Sequence, residues 1–116
     1  MSRGLVVALA LVTLECQCAP GADSSSRALL IVRPQAIMAG RSAEITLYPP
    51  ADGCVLAQDL YYGDAAAPSR WAGDECADEP LRRRHTYLDA GRILVVGIQG
   101  LESGQTVRAE AWLSVQ

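Results

Sequence analysis

From residue 107 to residue 116, apolar and polar positions alternate without a fault: Val107, Ala109, Ala111, Leu113 and Val115 against Arg108, Glu110, Trp112, Ser114 and Gln116. Successive side chains of an extended strand point to opposite faces, whereas a helix brings one face round every ~3.6 residues. The period of two therefore predicts a strand with one face on a core and the other in water. It also places Trp112 on the outer face. Such a strand demands partners, because its backbone polar groups and its apolar face are satisfied only by neighbouring strands and a second layer.

The chain from residue 28 onward supplies those partners. An apolar run over 28–32 is closed by Pro34, as suits an edge strand, and 36–39 is closed by Gly40. Ala43, Ile45 and Leu47 alternate with Glu44, Thr46 and Tyr48, predicting one buried and one wet face before Pro49 and Pro50 stop the strand. A further strand is expected over 55–62, ended by Gly63 and Asp64, and an exposed one over 81–86, where Arg82, Arg83 and Arg84 follow one another. Residues 92–98 form a near-continuous apolar run, which predicts a central strand buried on both sides, with a hairpin connection over 100–104. Residues 65–80 read as a long loop holding Pro68, Trp71, Gly73 and Pro80. The fold class expected is all-β: an immunoglobulin-like antiparallel two-sheet sandwich of about seven strands.

Residues 1–27 read differently. Arg3 precedes an uninterrupted apolar run from Leu5 to Val12, too short for the ~20 residues that span a bilayer and suited to the core of a secretory signal. The organisation expected is a signal segment over 1–18, a small and polar tether over 19–27 and one domain over 28–116. That places the domain outside the cytoplasm, secreted, periplasmic or on the cell surface. Cys54 and Cys76 then meet an oxidising compartment and are expected to form a disulfide, the alternative being two separate buried thiols. Cys16 and Cys18 follow the apolar run as the modified Cys of a bacterial lipoprotein does, but Glu15 and Gln17 stand where such sites carry small residues. Lipidation, plain cleavage and an uncleaved anchor all stay open, and only a lipid or an uncleaved signal would tie the chain to a membrane.

Three segments carry a resemblance to a known family. Tyr61-Tyr62-Gly63-Asp64 looks like the latter part of the W-D-F-G-D-G motif of the PKD domain, an immunoglobulin-like module named from polycystin. His85-Thr86-Tyr87 with Gly91 four residues on resembles that family's H-x-Y-x-x-x-G signature, and the order of the last two strands is similar to its closing hairpin. Leu60, Tyr61 and Ala65 stand where the first motif has Trp, Asp and Gly, and Gly97 falls where a core Leu is common. The resemblance implies a PKD-type sandwich that makes protein or carbohydrate contacts, with Gly63, Asp64, His85, Tyr87 and Gly91 as its structural motif. The residues carry a physical reading of their own. Gly63-Asp64 suits a tight turn, Tyr87 a buried ring with its hydroxyl on a backbone partner, and His85 a hydrogen-bonded structural role.

No arrangement of reactive residues points to catalysis. His85 is the only histidine, no serine lies in a nucleophile-elbow pattern and no glycine-rich phosphate loop is present. The chain is expected not to be an enzyme. Asp74, Glu75, Asp78 and Glu79 flank Cys76, yet their spacing fits no defined Ca²⁺ loop, so they read as a solvated acidic loop and no cofactor or metal is expected. The triple Arg is read as an exposed face within a surface ion-pair network. A net charge of −3 gives no footprint for nucleic acid. Binding is therefore assigned to aromatic side chains, Trp71, Trp112 and Tyr61. The function expected is an exported, non-catalytic interaction module with a protein or carbohydrate ligand. The alternative is a small secreted effector or enzyme inhibitor acting through the long loop around Cys76.

Overall fold

Residues 28–116 are described by a computed structural model. They form eight strands: β1 (Leu29–Arg33), β2 (Ala36–Ile37), β3 (Ser42–Tyr48), β4 (Val55–Tyr61), β5 (Ser69–Ala72), β6 (Leu81–Thr86), β7 (Gly91–Leu101) and β8 (Thr106–Val115). No helix occurs among the described residues. The strands make a three-stranded sheet in the order β1-β3-β6 and a five-stranded sheet in the order β2-β8-β7-β4-β5. Every pairing is antiparallel except that of β2 with β8. The architecture is the expected all-β, immunoglobulin-like two-sheet sandwich. The segments read as signal (1–18) and tether (19–27), with Cys16 and Cys18, lie outside the described residues.

The core is built by alternation. Ala43, Ile45 and Leu47 of β3 are wholly buried, and β1 adds Leu30 and Val32 beside them. Across the gap, Leu60 of β4, Val95 of β7 and Leu113 and Val115 of β8 close the second layer. Removing such a side chain from water stabilises the fold by roughly 1.5–3 kcal/mol each. The partners of Val107 to Val115 across the hairpin run in unbroken register from Gln99 to Gly91. Arg108 and Glu110 point outward, as their place in the alternation requires.

The structure departs from the sequence expectations at several points. Residues 65–80 are not all loop: Ser69–Ala72 pair with Leu60 to Ala57 as the edge strand β5, so the strands number eight rather than about seven. Between Pro68 and Gly73, four residues are too few to show a period. β7 is not buried on both sides. Val95, Gly97 and Gln99 are buried inward, while Leu94, Val96 and Ile98 on the outer face stay half-buried because no layer covers them. Thr46, expected on the wet face of β3, is buried. The strand expected over 36–39 is reduced to Ala36–Ile37, and it joins the sheet opposite β1 after a cis Arg33–Pro34 bond.

Candidate functional site

The family-like motif residues converge at one end of the sandwich. β4 delivers Tyr62 and the turn Gly63-Asp64, and β6 delivers His85 and then Tyr87. The imidazole of His85 stacks on the Tyr62 ring with centroids 4.0 Å apart, and meets the Tyr87 ring edge-on at 4.7 Å. His85 Nε2 donates to Asp64 Oδ2 at 2.7 Å, and the Ala66 N–H donates to Asp64 Oδ1 at 3.0 Å. Tyr87, almost fully buried, donates its hydroxyl to the Tyr62 carbonyl at 2.8 Å. Tyr62 in turn shares a hydrogen bond with Ser69 Oγ.

Gly63 makes this turn possible. Its φ of +87° lies in the left-handed region, and a Cβ there would sit 2.4 Å from the Leu94 carbonyl oxygen. Gly91 also has positive φ and opens β7.

Electrostatics follow the contacts. Partial burial alone would raise the Asp64 carboxyl. The hydrogen bonds from His85 and the Ala66 amide, with the attraction of the imidazole charge, outweigh it and hold the group below its ordinary 3.8. Burial pushes the Tyr87 phenol up, with the charges of Asp64 and Tyr62 adding to it. The cluster is a cross-braced corner in which the bond of His85 runs to Asp64 and that of Ser69 runs to Tyr62.

The three aromatic residues assigned to binding do not share one surface. Trp112 and Tyr61 lie on the outer face of the five-stranded sheet, opposite Leu94 and Val96 of β7 respectively. Trp112 is 52% exposed, and the guanidinium of Arg92 stands 4.4 Å from its ring centroid. Leu94, Val96 and Ile98 continue the apolar surface, and the ion pairs Arg108–Glu110 (2.8 Å) and Arg70–Asp59 (3.6 Å) border it. Trp71 belongs to β5 and packs inward against the edge of the core.

Cys54 and Cys76 are joined by a disulfide that ties the segment after β5 to the start of β4. Among the described residues the ion-pair network expected for the triple Arg does not form. Among the described residues the ion pairs join Arg70 to Asp59, His85 to Asp64 and Arg108 to Glu110, and none involves Arg82, Arg83, Arg84 or the acids near Cys76. Arg83 instead donates to the Arg82 carbonyl at 2.7 Å. Among the described residues, no three His, Cys, Asp or Glu side chains converge on a point able to hold a metal ion.

One buried feature escaped the sequence reading. Gln58 of β4 and Gln99 of β7 are both buried, and Gln99 Nε2 donates to Gln58 Oε1 at 2.9 Å. Both fall on inward positions once the alternation of β4 and β7 is carried through their full lengths.

No family model matches the chain, and no curated protein matches it. Solved structures do. The PKD domain of an M14-like peptidase from Thermoplasmatales archaeon SCGC AB-540-F20 is similar at a TM-score of 0.63 and 14% identity, over 77% of this chain and 92% of that one. A superoxide reductase (neelaredoxin) from Ignicoccus hospitalis is similar at a TM-score of 0.63 and 14% identity, over 83% of this chain and 88% of that one. Fibronectin(III)-like modules of Clostridium thermocellum CbhA are similar at 0.52 and 14%, over 75% and 94%. At these identities the likenesses show the fold alone, a sandwich of PKD and immunoglobulin-like type.

Proposed function

We propose that this chain is an exported, non-catalytic interaction module that binds a protein or glycan through the outer face of its five-stranded sheet, centred on Trp112. The observation that carries this reading is the half-exposed Trp112 ring, set among half-buried Leu94, Val96 and Ile98 and bordered by two ion pairs. An aromatic anchor in an apolar field with a charged rim is the anatomy of a recognition surface. Arg92 stacked on the indole limits its rotamers, so less freedom is lost when a ligand lands there. The likeness to a peptidase's PKD domain and to fibronectin(III)-like modules supports a role as a module, on a fold that a superoxide reductase shares equally well. The Cys54–Cys76 disulfide supports an oxidising location outside the cytoplasm.

The test is retention of the purified domain on envelopes and extracellular polysaccharide of the producing cell. Trp112→Ala abolishes retention with the unfolding midpoint unchanged, while His85→Ala lowers the midpoint and leaves retention of the folded protein intact. Equal retention by wild type and Trp112→Ala overturns the outer-face reading. Mass spectrometry of the mature amino terminus, and of any lipid on it, tests export.

A second reading has its own support. The segment holding Asp74 to Cys76 is exposed yet stapled, by the disulfide and by the Ala77 N–H donating to the Val55 carbonyl at 2.9 Å. A rigid projecting loop of this kind is how a small effector or inhibitor enters a target. Replacing the exposed Asp74 and Glu75 by Ser, which leaves β5 and the disulfide in place, then removes activity while Trp112→Ala spares it.

A further inference from the structure

The two sheets differ in width, and the mismatch leaves a cleft. β5 extends the five-stranded sheet on the side where β6 ends the smaller one. Between these edges lies an open cavity of about 250 Å³. Trp71 of β5 forms one wall, Leu81 and Arg83 of β6 the other, and Asp78 and Glu79 the rim. Gln58 reaches it from the interior, although the residue is only 2% exposed. Its carbonyl oxygen is engaged by Gln99, and the amino half of the amide is its remaining hydrogen-bonding group.

The polar groups around this cleft are of mixed type and not paired with one another. Arg83 forms no ion pair with Asp78 or Glu79. The cleft thus presents amide and guanidinium donors, two carboxylate acceptors and an aromatic face. A cationic ligand meets Arg83, and an anionic one meets Asp78 and Glu79. A neutral molecule rich in hydroxyls, each both donor and acceptor, satisfies both sets and lays its C–H face on the indole. The volume falls just below the ~300 Å³ at which pockets for drug-sized ligands begin, which suits one ring.

The walls are held before any ligand arrives. The Gly73 N–H donates to the Leu56 carbonyl at 3.0 Å, and the Ala77 N–H and the disulfide fix the segment that follows. Gly73 also lets the Trp71 ring lie against the backbone: a Cβ there would stand 2.9 Å from Trp71 Cζ2.

We propose that the cleft between β5 and β6 is a subsite for a single pyranose ring of a neutral saccharide, with Trp71 as the stacking platform and Gln58, Asp78, Glu79 and Arg83 as its hydrogen-bonding partners. The inference rests on the carbohydrate branch of the function proposed above, but places the sugar in a different part of the molecule from Trp112.

The test is an NMR titration of the isotopically labelled full chain with methyl β-D-glucoside, methyl α-D-mannoside and N-acetylglucosamine, with N-acetyl-lysine methylamide as a cationic probe. At least one sugar saturates with a Kd of about 1–10 mM. Its shifts fall on the Trp71 indole N–H, the Gln58 side-chain amide and backbone amides between Ala77 and Arg83. Asp78→Ala with Glu79→Ala weakens binding tenfold or more at an unchanged unfolding midpoint. Trp71→Ala abolishes it, and if that variant does not fold, the loop double variant decides. Failure of all three sugars to saturate overturns the proposal, as does tighter binding of the lysine probe or undiminished binding by the double variant. Shifts confined to Trp112 and its neighbours overturn the cleft and leave the outer-face reading standing. Sugar shifts in the cleft together with full retention of Trp112→Ala on envelopes do the reverse.

Discussion

Leu47 of the three-stranded sheet fills the space above Gly97 of the five-stranded one. A Cβ on Gly97 would lie 2.6 Å from Leu47 Cδ1 and 2.8 Å from Cδ2, and Leu47 is itself wholly buried with no room to withdraw. The two residues share one core volume, large on one layer and absent on the other. Gly97→Ala is therefore expected to overpack the core and cost about 1–3 kcal/mol. Leu47→Ala alone is expected to cost about 2–5 kcal/mol through the cavity it leaves. In the double variant the methyl added at Gly97 has space, so the combined loss falls short of the sum by about 1 kcal/mol or more. Urea unfolding of the four proteins measures this, and strict additivity contradicts the shared volume.

The bond from the Tyr87 hydroxyl to the Tyr62 carbonyl joins two chain segments 25 residues apart inside the protein. Tyr87→Phe keeps the ring in its pocket and leaves that carbonyl without its partner. The expected loss is about 1–3 kcal/mol, seen as a lower denaturant midpoint at constant slope.

Acid and alkali should each weaken this corner, through different groups. The Asp64 carboxyl is held below its unfolded value, so its contribution is fully present above about pH 4 and is lost as pH falls through the folded pKa. The Tyr87 phenol is raised, so its contribution is intact below the unfolded value near pH 10 and is lost as pH rises above it. Thermal midpoints measured from pH 2 to pH 11 are expected to fall at both ends (limits set by those ordinary values, about 4 and 10). Asp64→Asn flattens the acid limb and leaves the alkaline one, and Tyr87→Phe does the opposite.

The elements legible in the sequence are those with a long enough period. β8 alternates over its whole length and β3 over most of its own, and both were placed with the correct inward residues. β5 was not legible, because Ser-Arg-Trp-Ala is short, carries no alternation and lies between turn residues. Missing it put Trp71 on a loop, when its pairing with Gln58 turns the indole inward. Exposure of Trp112 followed from parity alone, whereas the stacking of Arg92 upon it depends on a cross-strand diagonal that only the register reveals. The bond from His85 to Asp64 was equally hidden, since nothing local ties positions 21 residues apart. The half-buried outer face of β7 is hidden from the sequence for a physical reason: a run of Val, Leu and Ile looks the same whether or not a layer covers its second face.

The Cys54–Cys76 bond closes a loop with a sequence separation of 22 that contains β4, the Gly63 turn and β5. Replacing both by Ser releases that loop in the unfolded chain, which on the chain-entropy model costs about 3 kcal/mol. For a domain of this size the thermal midpoint is expected to fall by about 12–24 °C. The native loop should not come free, because the Gly73 and Ala77 amides still bond to the Leu56 and Val55 carbonyls. The double-Ser protein is thus expected to keep the native amide spectrum around β5 at low temperature while unfolding early on heating. Melting curves with and without reductant check the first part and a two-dimensional amide spectrum the second. A wild-type midpoint indifferent to reductant would show that these cysteines are not joined. Loss of the β5 amide signals in the folded variant would show that the bond, and not the ladder, holds this edge.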